Sequence, residues 1–117
     1  DRDGEITASH LAQLKYLECC LKEALRLYPP FPLVGRVLDE ELEIEGQVIP
    51  KGVNCFIALY SLHRNPEYFK DPEKFMPERF LSDEIRTRHP FSYIPFGGGP
   101  KNCIGTETLL SICFVRA

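Results

Sequence analysis

Pro95-Phe96-Gly97-Gly98-Gly99-Pro100-Lys101-Asn102-Cys103-Ile104-Gly105 is the stretch on which the reading of this chain turns. Three consecutive glycines let the backbone enter left-handed conformations and approach a bulky ligand. Successive amides in such a turn can point at an anion. Cys103 is expected at the start of a helix, where the positive end of the dipole favours thiolate over thiol, and Lys101 adds a positive charge. Together these features suit a soft, anionic metal ligand. A lone thiolate leaves the other positions of an iron to a macrocycle, and thiolate ligation to haem favours O–O cleavage. Two other readings stand beside it. One is an ordinary Gly-rich turn before a buried Cys. The other is a phosphate-binding loop, but the G-x-x-x-x-G-K-[ST] order is absent and Cys stands where the hydroxyl residue belongs.

Upstream of this loop, Pro66, Pro72, Pro77, Pro90 and Pro95 punctuate residues 65–95, so helices there are short. So long an irregular stretch is uncommon inside a compact domain and is usually functional. Before it, residues 34–58 read as short strands. Val34 to Leu38 is one, Glu41 to Glu45 alternates Leu42 and Ile44 with acids as a half-buried strand does, and Gln47 to Ile49 returns after a Glu45-Gly46 turn. Pro50-Lys51-Gly52 is a second turn, and Asn54 to Ala58 is a third strand or the lead into a short helix through Leu62. Earlier still, residues 7–28 read as a helix capped by Thr7 or Ser9 and stopped by Pro29-Pro30-x-Pro32. Leu14, Leu17, Leu21, Ala24 and Tyr28 form its apolar face by three/four spacing, and Lys15, Glu18 and Lys22 its solvated face. On that wheel Arg26 falls near Lys15 and Lys22. Residues 106–117, apolar again, read as the start of a following helix.

The 117 residues are enough for roughly one small domain. With 44% hydrophobic and 26% charged residues the chain is globular rather than disordered, and a net charge of -3 gives no reason to expect nucleic acid as a partner. No apolar run approaches the roughly 18 residues of a membrane span. Cys19, Cys20, Cys55, Cys103 and Cys113 are odd in number, irregularly spaced and without a C-x-x-C pair. A zinc site or disulfide framework is therefore not expected, and a reduced compartment fits better. The polar start without Met and the stop inside an apolar run mark both ends as expected cuts, so the chain is read as a fragment.

Phe96-x-x-Gly99-x-Lys101-x-Cys103-x-Gly105 resembles the haem-binding signature of the cytochrome P450 family, with Lys101 where the family usually has Arg. Lys keeps the charge but loses the fork geometry. Further landmarks resemble the same family in the same order: Glu23-Ala24-Leu25-Arg26 on the helix, then the strands, then Pro77-Glu78-Arg79-Phe80, then the Cys loop. The resemblance implies a mainly α fold with small β-sheets, the cytochrome P450 fold, of which this chain is the C-terminal haem-binding part. It implies Cys103 as the axial iron ligand, Phe96 packed beside ligand and haem, and Gly105 letting the following helix run close to the porphyrin. It implies Arg36, in the first strand, as a cation for the haem propionates with Lys101 as partner. It also implies that Leu33, Val34 and Gly35 lie near the substrate side. Taken alone, Glu23 and Arg26 would be a solvated i,i+3 pair worth about 0.5 kcal/mol or less. The resemblance instead buries them with Arg79 as a structural triad for fold maintenance and haem incorporation, not catalysis. His63 reads as a hydrogen-bonded structural histidine, and Cys19, Cys20 and Cys55 as small buried or half-buried residues.

The run Thr106-Glu107-Thr108-Leu109-Leu110-Ser111-Ile112-Cys113-Phe114 departs from the family's usual continuation after the ligand loop. The family's oxygen-activating acid-Thr pair precedes this region, so no catalytic residue is expected here and the fragment alone is expected to be inactive. The cofactor implied is haem b. The partners implied are an NADPH-dependent reductase, a lipophilic substrate, and the endoplasmic-reticulum membrane at its cytosolic face through a segment absent here. The run from Lys22 to Pro30, with Ile49-Pro50-Lys51-Gly52 and Tyr60-Ser61-Leu62-His63-Arg64, resembles the animal family 4 branch that includes fatty-acid ω-hydroxylases. Two other outcomes stay open: a haem-thiolate isomerase or dehydratase that needs no reductase, and a truncated non-catalytic remnant.

Overall fold

A computed structural model describes residues 14–81 and 84–105 of the chain. The first element, α1 (Lys15–Leu27), is a 13-residue helix. Tyr28 ends it, donating its N–H to the Ala24 carbonyl at 2.8 Å before Pro29 and Pro30 remove the next donors. The expected caps Thr7 and Ser9 lie outside the described residues, as do the first residues of the expected helix.

The helix buries a different side from the one its apolar spacing predicts. Its buried residues are Cys19, Glu23, Arg26 and Leu27. Leu14 and Tyr28 stand exposed, while Leu17, Leu21 and Ala24 are half-buried. At about 100° per residue the two arcs lie on nearly opposite sides of the helix. The expectation that Arg26 shares a solvated face with Lys15 and Lys22 is therefore corrected: Arg26 is 0% exposed. The reason is that the irregular segment beyond residue 63 lays carbonyls and Arg79 on that side. A charged side chain goes inside only where such partners meet it.

Four short strands follow. β1 (Leu33–Val37) pairs antiparallel with β4 (Asn54–Ala58), Leu33 opposite Ala58 and Val37 opposite Asn54. Nested between them, β2 (Leu42–Ile44) pairs with β3 (Gln47–Ile49). Glu45 and Gly46 turn that inner hairpin with φ of 50° and 78°. Positive φ at both central positions matches the twist of the flanking strands, and Gly supplies one without strain. The half-buried strand expected at Glu41 to Glu45 is corrected here, since Leu42 and Ile44 are both exposed.

α2 (Leu59–Leu62) is a single turn continuing from β4. The Pro-rich segment then runs through one 3-10 turn at Pro77–Phe80, a short helix α3 (Glu84–Thr87) and a second 3-10 turn at Pro90–Ser92. Both 3-10 turns begin on Pro, whose fixed φ suits the first helical position and whose missing N–H costs nothing there. Among the described residues the buried apolar set is Cys19, Leu27, Leu59, Phe69 and Phe80, and the buried polar set is Glu23, Arg26, His63, Arg79 and Ser92. The interior is thus organised around ions and hydrogen bonds as much as around apolar contact.

Candidate functional site

Glu23, Arg26 and Arg79 meet at the centre of that interior. Glu23 takes Arg26 in a fork: Arg26 Nε donates to Oε2 at 2.8 Å and Nη2 to Oε1 at 2.7 Å. Oε1 also accepts from Arg79 Nε at 3.0 Å and from the Met76 N–H at 2.9 Å. Burial alone would raise the Glu23 carboxyl. The bonds from Arg26 and Met76, with the charges of both guanidiniums, outweigh it and hold the group below its ordinary value. The remaining Arg26 donors reach the carbonyls of His63 at 2.9 Å, Pro72 at 2.7 Å and Lys74 at 3.2 Å. Arg79 reaches those of Lys70 at 2.9 Å, Asp71 at 3.4 Å and Lys74 at 3.3 Å. Phe69 closes one side, 5.2 Å below the Arg26 guanidinium.

The Cys loop is built separately. Gly97 and Gly99 have φ of 80° and 78°, so each needs the freedom of glycine. The Gly97 N–H donates to the Ile94 carbonyl at 2.9 Å, and the Cys103 N–H donates back across the loop to the Phe96 carbonyl at 2.9 Å. Cys103 is thereby brought to the surface beside Phe96. A Cβ placed on Gly105 would sit 3.7 Å from Cys103 Sγ, in ordinary contact. Cys103 does not open the helix expected to start there: Cys103 to Gly105 leave the loop as a turn, where the chain is still closing the Cys103 N–H onto the Phe96 carbonyl. The helix expected over residues 106–117 lies outside the described residues.

β1 supplies the facing wall. Its pleat turns Val34 and Arg36 toward the loop, leaving Leu33 and Gly35 on the exposed face, so of the three expected near the substrate side only Val34 faces the loop. Arg36 Nη2 donates to the Lys101 carbonyl at 3.2 Å and Nη1 to the Gly35 carbonyl at 2.8 Å, tying the strand to the loop. A concavity of about 350 Å³ opens between the two, lined by Phe31, Val34, Arg36, Phe96, Lys101 and Cys103 among others. Gly97 and Gly105 reach it as well, whereas Gly99 lines a neighbouring hollow of about 250 Å³ with Arg36. Five of the six residues expected at a cofactor therefore share one concavity, and Gly99 adjoins it. The triad stands apart from it.

The residue that sequence reasoning left unassigned is His63. It is fully buried, and its Nε2 accepts the Ile94 N–H at 3.1 Å. Tyr93, 5.3 Å from its ring, donates its hydroxyl to the Lys22 carbonyl at 2.9 Å. Neither residue belongs to a periodic pattern, and both bind backbone, so no spacing in the sequence marks them.

Burial pushes His63 from its ordinary 6.5 to about 4, and the charges of Arg26 and Arg64 push the same way. The unfolded chain therefore binds a proton that the folded chain refuses between about pH 6.5 and pH 4. Stability from this group is complete above that window and falls as the pH drops through it, by up to about 3 kcal/mol. Urea midpoints measured from pH 7 to pH 4 should show the decline, and His63→Gln should flatten it.

Among the described residues no group of three or more His, Cys, Asp and Glu side chains is placed to hold a metal ion. Nor is any described helix long and apolar enough to cross a membrane. A family model described as cytochrome P450 matches residues 1–108. The chain is 50% identical over 102 residues to rat cytochrome P450 4V2, covering 87% of this chain and 19% of that protein. It is 48% identical over 121 residues to human cytochrome P450 4V2, covering 97% of this chain and 23% of that protein. It is 46% identical over 107 residues to Drosophila melanogaster cytochrome P450 4c3, covering 92% and 20%. The chain thus spans about a fifth of the length of the curated relatives it matches.

Proposed function

Because this chain belongs to the cytochrome P450 family and its relatives are members of family 4, we propose that it forms the thiolate side of a haem site in a monooxygenase. The observation that carries the reading is the shared concavity in which Cys103 meets Phe96, Arg36 and Lys101. These residues fit the group. Cys103 would give the iron its sulfur ligand, Pro30, Phe31, Val34 and Phe96 would give apolar walls for a macrocycle, and Arg36 and Lys101 would offer cations to anionic propionates. Haem bound there would supply dioxygen chemistry, in which two electrons and two protons enter, one oxygen atom goes to the substrate and the other leaves as water.

The residues of this chain divide the remaining work. Cys103, held by its N–H to Phe96, presents the thiolate. Gly97 and Gly99 shape the loop that carries it. Arg36 fastens that loop to β1 through the Lys101 carbonyl and keeps further N–H donors for a propionate. Glu23, Arg26 and Arg79 maintain the fold around the loop and serve haem incorporation without touching the reaction. The oxygen-activating residues belong to other parts of the whole protein, and the chain alone does not turn over substrate. A lipophilic substrate such as a fatty acid, electrons from an NADPH-dependent reductase and the endoplasmic-reticulum membrane complete the reading. Family membership supports them.

The test is optical. The whole protein, reduced under carbon monoxide, should show the red-shifted Soret band of thiolate-ligated haem. Cys103→Ala should abolish that band and Cys113→Ala should leave it. Absence of the band in the unsubstituted protein, or its survival in Cys103→Ala, would overturn the assignment.

A further inference from the structure

His63 is bonded on two sides at once. Its carbonyl accepts from Arg26 Nη1 at 2.9 Å, and its Nε2 accepts the Ile94 N–H at 3.1 Å. Ile94 lies just ahead of the Cys loop, and its own carbonyl accepts the Gly97 N–H at 2.9 Å. An unbroken line therefore runs from Glu23 through Arg26, His63 and Ile94 to the first glycine turn of the loop. Because the Ile94 amide can only donate, Nε2 must keep its lone pair, and the hydrogen of the neutral ring sits on Nδ1. Nδ1 is buried and finds no hydrogen-bond partner among the described residues. A buried N–H without a partner is a cost. A phenylalanine would fill the same space without it, so what the histidine adds is the acceptor at Nε2.

We propose that His63 is a positioning residue that seats the Cys103 loop on the buried Glu23–Arg26–Arg79 network through its Nε2 acceptor. This rests on the reading of Cys103 as the haem ligand. His63 does not touch the concavity; it acts through Ile94. Protonation would put a second donor against the Ile94 amide and break the seat. The positive charges of Arg26 on α1 and of Arg64, the next residue in the chain, both oppose that protonation. Tyr93 packs against the ring without adding charge at neutral pH.

The side-chain oxygen of Gln reaches where Nε2 stands, whereas that of Asn stops one bond short. In the whole haem-loaded protein, His63→Asn and His63→Phe should convert from the thiolate-type Soret band to the non-thiolate form about tenfold faster than the unsubstituted protein under mild denaturant, the factor expected from one buried hydrogen bond. His63→Gln should stay within about threefold. Equal rates for Gln and Asn, or an Asn rate equal to that of the unsubstituted protein, would overturn the proposal. If His63→Phe does not load haem, the Gln and Asn pair decides by the same criterion. An unsubstituted protein without the thiolate band would defeat the reading of Cys103 instead. Hydrogen exchange at the Ile94 amide then tests the seat separately: slow exchange kept in Gln and lost in Asn supports it, and fast exchange in the unsubstituted protein overturns it.

Discussion

Glu23→Ala is expected to lower stability by about 3–5 kcal/mol, because it strands two buried cations at once. Glu23 and Arg26 are 0% exposed and Arg79 is 6% exposed. The carboxylate accepts four hydrogen bonds from Arg26, Arg79 and the Met76 amide. Without it both guanidiniums stay desolvated with only carbonyls opposite them. A domain of ordinary stability has about 5–15 kcal/mol to lose, so this one change removes a large share of it. Denaturant midpoints of the whole protein measure the effect. Glu18→Ala is the control: Glu18 pairs with Lys22 at the surface, and its loss should cost under about 1 kcal/mol. Equal losses for the two variants would show that burial adds nothing to the Glu23 pair.

Arg26→Lys is expected to destabilise nearly as much, although it keeps the charge. A guanidinium carries five N–H donors, and each of the five on Arg26 has an acceptor: Nε and one from Nη2 on Glu23, and the rest on the carbonyls of His63, Pro72 and Lys74. Lysine brings three donors on one nitrogen and cannot span these positions. At least two acceptors lose their partner in a site closed to water, at about 1–3 kcal/mol each. The same denaturation measurement should therefore place Arg26→Lys close to Glu23→Ala, and Arg79→Lys, with four bonds to lose, somewhat above them in stability. A loss below about 1 kcal/mol in Arg26→Lys would mean that charge alone holds the network.

The helical wheel misplaced Arg26 for a physical reason. Amphipathic spacing reports which side of a helix is oily, and α1 places Leu17 and Leu21 there correctly as an oily side. It cannot report that an irregular segment 37 to 56 residues further on will cover the opposite side with carbonyls and a second guanidinium. Only the joint presence of Glu23-x-x-Arg26 and Pro77-Glu78-Arg79-Phe80 carried that information, and it did so by resemblance. The Cys loop was more legible because its demands are local: glycine where φ is positive, and a sulfur next to the turn. β1 was legible as a strand, but period two decided which of Leu33, Val34 and Gly35 faces the concavity, and the register was not visible beforehand. His63 was legible as a hydrogen-bonded structural histidine, and it is one. Neither its partner nor Tyr93 could be foreseen, because a side chain bound to backbone imposes no pattern on its partner's identity.

The partners of Arg26 and Arg79 beyond Glu23 are the main-chain oxygens of His63, Lys70, Asp71, Pro72 and Lys74. Every amino acid carries such an oxygen. The side chains at most of these positions can therefore drift over generations without removing a single one of these bonds. A change in length cannot be absorbed so easily. Inserting or deleting one residue between 64 and 78 slides the whole row of oxygens past two fixed guanidiniums, and the row no longer fits. A surface loop ordinarily tolerates gaps better than the elements it joins. This one should accept many spellings and only one length.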